Sequence, residues 1–142
     1  CDICGFEEEA YRLLTAEGYP SYRHWFDGGA TVLHEMWADR ESKNHHMYSY
    51  PVTWFRETIL GIRQDETLFT EGRFRIEPYF LNSLDHAEGE YDTPAGKIAV
   101  SWRRGYNSEI RLSITVPEGI TAELSARGTK KILSAGQWEL KL

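Results

Sequence analysis

Cysteine is scarce in this chain. The two thiols, Cys1 and Cys4, are spaced Cys-x-x-Cys with no second pair anywhere. A zinc site of the ribbon type needs four such ligands at close spacing, and the nearest histidine, His24, stands twenty residues beyond Cys4, so the thiols read as incidental and identify no redox compartment. Three ligands with metal spacing are also lacking, so neither a metal nor a cofactor is expected. No run approaches the ~20 apolar residues of a membrane-spanning helix, and no basic-then-apolar leader opens the chain. A surplus of positive charge is missing: the net charge is −6. Residues 1–66 carry twelve acids against six bases, while 67–142 carry ten of each. That balance argues against nucleic acid, which needs a basic face, and against an anionic membrane. The nucleophile elbow Gly-x-Ser-x-Gly, the P-loop and the dinucleotide fingerprint are absent. His34-Glu35 begins a zinc-protease motif, but Ala38 stands where the second histidine must be. The chain opens on Cys1 rather than Met, and is expected to be a fragment or a processed piece.

What is present fits a globular protein. The chain has 142 residues, 41% hydrophobic and 27% charged, and a length at which about two-thirds of the unfolded surface disappears on folding. Aromatics are plentiful and uneven: nine fall between Tyr19 and Phe55. Aromatics usually fill cores, but this local density favours the wall of a cleft.

Two kinds of periodicity divide the chain near residue 65. Phe6, Ala10, Leu13 and Leu14 recur at helical spacing, with Glu7, Glu8 and Glu9 in the first turn and Gly18 and Pro20 beyond the end, which predicts a helix over 6–17. Ser21 is placed to cap a short helix through Trp25 that Gly28-Gly29 ends. Thr31–Trp37 reads as extended or irregular, and 38–44 as a polar loop. A second helix is predicted over 51–62, with Pro51 in its first turn and Val52, Phe55, Ile59 and Leu60 on one face. After Gly61 the period becomes two. Phe74 and Ile76 mark a strand, Pro94-Ala95-Gly96 a hairpin turn, Ile110, Leu112, Ile114 and Val116 one face of another strand, and 120–126 and 137–142 two more. Short strands with turn residues between them suggest a sandwich. Two helices in ~65 residues cannot bury their own faces, so they belong to a larger helical domain or pack on the β module.

The chemistry concentrates between Gly28 and Met47. Glu35 lies between Leu33 and Trp37, so its surroundings are expected to be apolar, the desolvated setting that keeps a carboxylate useful as an acid or base near neutral pH. His45 and His46 are adjacent and point apart in most conformations; His24 and His34 are weaker candidates. Trp37, two residues after Glu35, is the aromatic best placed to stack on a ligand, whereas Trp54 sits inside a helix and reads as core. Asp39, Arg40 and Asn44 are loop residues able to bind hydroxyls. Trp102 and Trp138 belong to the β module, as its core or its seam with the helical part.

These residues resemble the C-terminal part of bacterial α-L-rhamnosidases, inverting glycoside hydrolases of family 78. The resemblance is carried by Gly18-Tyr19-Pro20-Ser21, Gly29-Ala30-Thr31, Glu35-x-Trp37, Asn44-His45-x-Met47, the Trp54-Phe55 helix, Tyr91-x-Thr93-Pro94-x-Gly96-Lys97-Ile98 and Ser101-Trp102, in order along nearly the whole chain. It implies an α+β fragment: residues 1–65 as the last helices and active-site loops of an (α/α)6 barrel, and 66–142 as a small antiparallel β-sandwich. It further implies that Glu35 is the general base, that His45 binds rhamnose and that Trp37 walls the sugar pocket, with Asn44 and His34 beside them. The chain departs from the family pattern at His34, where Trp is common, and at His46, where Tyr is common. The general acid is expected in an upstream barrel, so this piece alone is expected to be inactive. The implied partners are a rhamnose-containing glycoside or oligosaccharide and the N-terminal barrel of the same protein. The compartment, bacterial cytoplasm, periplasm or exterior, stays open.

Three other readings compete. The β part can be a carbohydrate-binding module with Trp102 or Trp138 as platform. It can be a buttress that binds nothing. The barrel can also serve another sugar.

Overall fold

The computed structural model describes residues 5–38, 42, 43, 45–64, 67 and 70–142. The chain falls into two compact units, Cys1–Trp54 and Phe55–Leu142. Among the described residues no helix is long and apolar enough to cross a membrane.

The first unit is helical. Helix α1, Glu7–Leu14, is shorter than its apolar spacing predicts. At its end the Thr15 N–H and hydroxyl both donate to the Tyr11 carbonyl, at 3.0 and 2.8 Å. Helix α2, Tyr22–Asp27, forms as expected: the Ser21 Oγ accepts the His24 N–H at 3.0 Å, and Gly28 ends the helix. A 3-10 turn, His46–Ser49, leads into helix α3, Tyr50–Trp54. Large apolar side chains stand in water throughout this unit. Phe6, Leu13, Phe26, Tyr50 and Val52 each keep more than half of their surface exposed.

The second unit opens with a widened helical turn, Phe55–Ile59, in which the Leu60 N–H reaches five residues back to Phe55 O at 3.0 Å. The helix predicted to reach Ile62 stops there. Gly61 takes φ +72°, and the chain departs into strand β1, Ile62–Arg63. Seven more strands follow: β2 (Arg73–Ile76), β3 (His86–Thr93), β4 (Gly96–Arg104), β5 (Ile110–Val116), β6 (Thr121–Ala126), β7 (Thr129–Leu133) and β8 (Gly136–Lys141). They form two four-stranded sheets, in the orders β1-β2-β6-β7 and β3-β4-β5-β8.

The second sheet is antiparallel throughout. In the first, β2 and β6 run parallel, with Phe74 opposite Ala122 and Ile76 opposite Leu124. The expected antiparallel sandwich is thus present with one parallel pair. Parallel partners need a long crossover, and here the crossover is the excursion through β3–β5.

Alternation puts Ile98, Val100 and Trp102 of β4 and Leu112 and Ile114 of β5 on one buried face. Phe74, Ile76, Ala122, Leu124 and Leu133 line the buried face of the other sheet. The rings of Phe74 and Tyr91 meet between the sheets at 6.0 Å. Trp102 is the largest fully buried side chain, and its indole N–H donates to Ile59 O at 2.9 Å. That bond ties the widened turn to the middle of the sandwich and satisfies a carbonyl the helix end would leave bare. Gly89 on β3 leaves room for Leu60: a Cβ there would stand 2.5 Å from Leu60 Cδ1. The edge strand β3 turns His86, Glu88, Glu90 and Asp92 outward.

Gly61 meets two demands at once. Its φ is positive, and a Cβ would lie 2.2 Å from backbone atoms of Glu77 and Pro78, beside the bond from Glu77 N–H to Gly61 O. Gly119 has φ +78° with nothing within 4 Å. Gly119→Ala should therefore cost only the left-handed penalty, about 1–2 kcal/mol. Gly61→Ala should cost clearly more, about 3 kcal/mol or above, because backbone must move as well. Denaturant unfolding of the two variants measures the difference.

Candidate functional site

The site is built where two short backbone stretches of the first unit join. The Glu35 N–H donates to Ser42 O at 2.9 Å, and the His45 N–H donates to Leu33 O at 3.0 Å. These bonds bring together side chains ten residues apart. Glu35 Oε2 receives the Ser42 N–H at 3.3 Å and stands 3.7 Å from His45 Nδ1, an ion-pair separation. Both side chains are partly open, with 40% of Glu35 and 36% of His45 exposed. The shielding expected from Leu33 and Trp37 is only partial, because Trp37 turns away into an aromatic cluster. The His46 ring lies parallel to that of His45, with centroids 6.3 Å apart.

The aromatic cluster holds Trp25 at its centre. Trp37 lies 4.4 Å from it, and Tyr22 and Tyr48 meet it edge-on at 5.8 and 5.3 Å. The Trp25 indole N–H donates to Trp37 O at 3.2 Å, and the Tyr22 hydroxyl donates to Tyr48 O at 2.9 Å. Burial pushes the Tyr22 phenol above its ordinary value, and the neighbouring Tyr48 adds to the shift. His34 is buried and stacks on Trp25, with centroids 5.2 Å apart.

His34, Trp37 and Trp25 share a groove of about 560 Å³ with Tyr19, His24 and Lys43. Aromatic faces flanked by hydrogen-bonding groups suit a sugar ring. Glu35 and His45 are not among the groove's lining residues.

The structure therefore joins Glu35 with His45, and His34 with Trp37, as two neighbouring groupings. Asn44, and with it Asp39, Arg40, Cys1 and Cys4, lies outside the described residues. Sequence reasoning did not single out Tyr22, Tyr48 or the Ser42 amide. The spacing of Tyr22 and Trp25 on one helix was an available signal; a main-chain donor leaves none. Among the described residues no group of three His, Cys, Asp or Glu side chains converges as a metal site.

Comparison with known proteins identifies the family. Residues 61–140 match the family model of the bacterial α-L-rhamnosidase C-terminal domain, and residues 4–59 match that of the bacterial α-L-rhamnosidase 6 hairpin glycosidase domain. The chain belongs to the bacterial α-L-rhamnosidase family. It is 32% identical to an α-L-rhamnosidase of Alteromonas sp. (strain LOR), over 97% of this chain and 18% of that protein. It thus spans under a fifth of this curated relative's length. Among solved structures, the native rhamnosidase of Aspergillus terreus superposes with a TM-score of 0.85 at 22% identity, covering 99% of this chain and 18% of that one. The Streptomyces avermitilis α-L-rhamnosidase complexed with L-rhamnose gives 0.79 at 20% identity, covering 99% and 16%. At these identities the two structures establish the fold: a β-sandwich following helical elements.

The raised phenol makes a pH prediction. A group that holds its proton more tightly when folded supports the fold below its unfolded value, about 10 for tyrosine, and that support is lost as pH rises further. Tyr22→Phe should cost about 1 kcal/mol near neutral pH through the lost bond to Tyr48 O. It should also flatten the decline of stability above about pH 10. Urea unfolding of both proteins at neutral and alkaline pH measures each effect.

Proposed function

We propose that the whole protein is an inverting glycosidase that releases terminal α-L-rhamnose from glycosides or oligosaccharides, and that this chain supplies its general base, Glu35. The observation that carries the reading is the placement of the Glu35 carboxylate. It is held at one oxygen by a main-chain amide, flanked by His45, and left partly open to solvent. A general base for water must be fixed and yet reachable.

Membership of the rhamnosidase family and the L-rhamnose in the Streptomyces relative support the choice of sugar. In this reading His45, Trp37, Asn44 and His34 grip the sugar. The helical residues ahead of strand β1, a division that the sequence places near residue 65, are the last helices and loops of an (α/α)6 barrel, and the two sheets from β1 onward are a buttressing sandwich. Inversion needs two carboxyl groups roughly 6.5–9.5 Å apart with water between them, and the general acid is assigned to an N-terminal barrel outside this chain. The exposed apolar side chains Phe6, Leu13, Phe26, Tyr50 and Val52 suit burial against such a barrel.

The competing carbohydrate-binding reading gains little support from the tryptophans. Trp102 is only 2% exposed. Trp138 has Lys131 Nζ over its face, 4.4 Å from the ring centre.

The test uses the full-length protein and an aryl α-L-rhamnoside. Glu35→Gln should lower kcat by about 10³-fold with KM little changed. Proton NMR of the first product should show the inverted anomer. The 142-residue chain alone should turn over at a negligible rate. Full activity in the Glu35→Gln variant would remove Glu35 from the chemistry.

A further inference from the structure

The reading of Glu35 as base underlies the next step: the geometry points to His45 as the residue that positions this carboxylate, rather than as a sugar ligand alone. Three observations converge. His45 Nδ1 stands 3.7 Å from Oε2 of Glu35. The same oxygen receives the Ser42 N–H at 3.3 Å. The backbones of the two residues are locked through Glu35 N–H to Ser42 O and His45 N–H to Leu33 O. The Ser42 amide thus binds Oε2 and the His45 ring stands within ion-pair reach of the same oxygen, and Oε1 is assigned to the water.

A carboxylate held at one oxygen presents the other in a fixed direction, and direction matters. A displacement of about 1 Å at a reacting group costs about 100-fold in rate. In the hydrolytic step the water oxygen bonds to the anomeric carbon while its proton passes to Oε1. The bond from that carbon to the leaving oxygen breaks as the upstream acid protonates it. His45 touches none of the bonds that change. Its Nδ1, 3.7 Å from Oε2, biases that oxygen as an ion-pair partner and can close to a hydrogen bond whenever Nδ1 carries a proton, as it does in the cation and in one neutral tautomer. The parallel His46 ring, 6.3 Å away, flanks the face of this imidazole.

Substitutions at position 45 separate the two ring nitrogens. The asparagine amide reaches roughly where Nδ1 lies, and the glutamine amide roughly where Nε2 lies. In the full-length enzyme, His45→Ala should lower kcat about 10–100-fold, more than any rise in KM from the lost sugar contact. His45→Asn should recover most of that loss, and His45→Gln should not. In a Glu35→Gln background, His45→Ala should cause no further fall in kcat, because the group it orients is gone. The opposite ranking, with Gln restoring and Asn not, or an effect confined to KM, would make His45 a plain sugar ligand. Should His45→Ala fail to fold, the two amide variants decide the question by themselves. A Glu35→Gln enzyme that keeps its rate overturns the base assignment instead, so the two failures are distinct.

Discussion

The pairing of Leu33–Glu35 with Ser42–His45 is the constraint on which the site depends. Leu33, Glu35, Ser42 and His45 lie in no regular strand or helix, and two main-chain bonds join them. Without those bonds the carboxylate of Glu35 and the imidazole of His45 would be loop side chains on an acidic surface. With them the His45 Nδ1 stands 3.7 Å from the Glu35 Oε2 that the Ser42 amide binds. Trp37 leaves Glu35 on the other side to join Trp25, Tyr22 and Tyr48. The indole N–H of Trp25 then takes the Trp37 carbonyl, so the aromatic cluster grips the same loop that carries the acid. Packing and polarity divide the work: rings set the loop's course, and amides aim the carboxylate.

In the second unit Trp102 plays a comparable part with one bond. A buried indole contributes large apolar area but must find an acceptor for its N–H. It finds the carbonyl of Ile59, at the end of the widened turn. Gly61 then turns the chain against Glu77 and Pro78, and Gly89 leaves the gap that Leu60 fills. A turn, a strand and a loop are thereby held to the sandwich by a tryptophan and two residues without side chains. Arg104 adds to this from the end of β4, donating to Leu81 O at 2.8 Å and Phe80 O at 3.2 Å.

The strands were legible wherever alternation was long enough to count. Ile110–Val116 alternates without a break, and the Pro94-Ala95-Gly96 turn marks the hairpin of β3 and β4. There the Thr93 hydroxyl donates to Gly96 O and accepts the Ala95 N–H. Strand β7 escaped notice because Thr129–Leu133 carries three exposed side chains in a row and follows Arg127-Gly128, a tight turn with both φ angles positive but without the usual Asn or Asp. Strand β1, at two residues, has no period at all. Phe6 and Leu13 share the apolar spacing of a helix, yet both stand in water and Glu7 is buried instead. Helical period tells which residues share a face; it does not supply the surface that face meets. For the site, residue types and resemblance singled out Glu35, His45 and Trp37. The adjacency of the first two was not readable, since main-chain bonds between irregular stretches write no pattern in side chains.

The outward residues of β3 have a consequence for encounters between molecules. A sheet edge offers unsatisfied N–H and C=O groups that invite another chain to continue it. On this edge Glu88, Glu90 and Asp92 line one side of the strand. Lys97 pairs with Glu90 and lies opposite Asp92, so three carboxylates meet one ammonium there. Two copies approaching through β3 would set carboxylates against carboxylates before any main-chain bond could form, so self-templated stacking along this border is discouraged by like charge at the cost of a few solvated side chains.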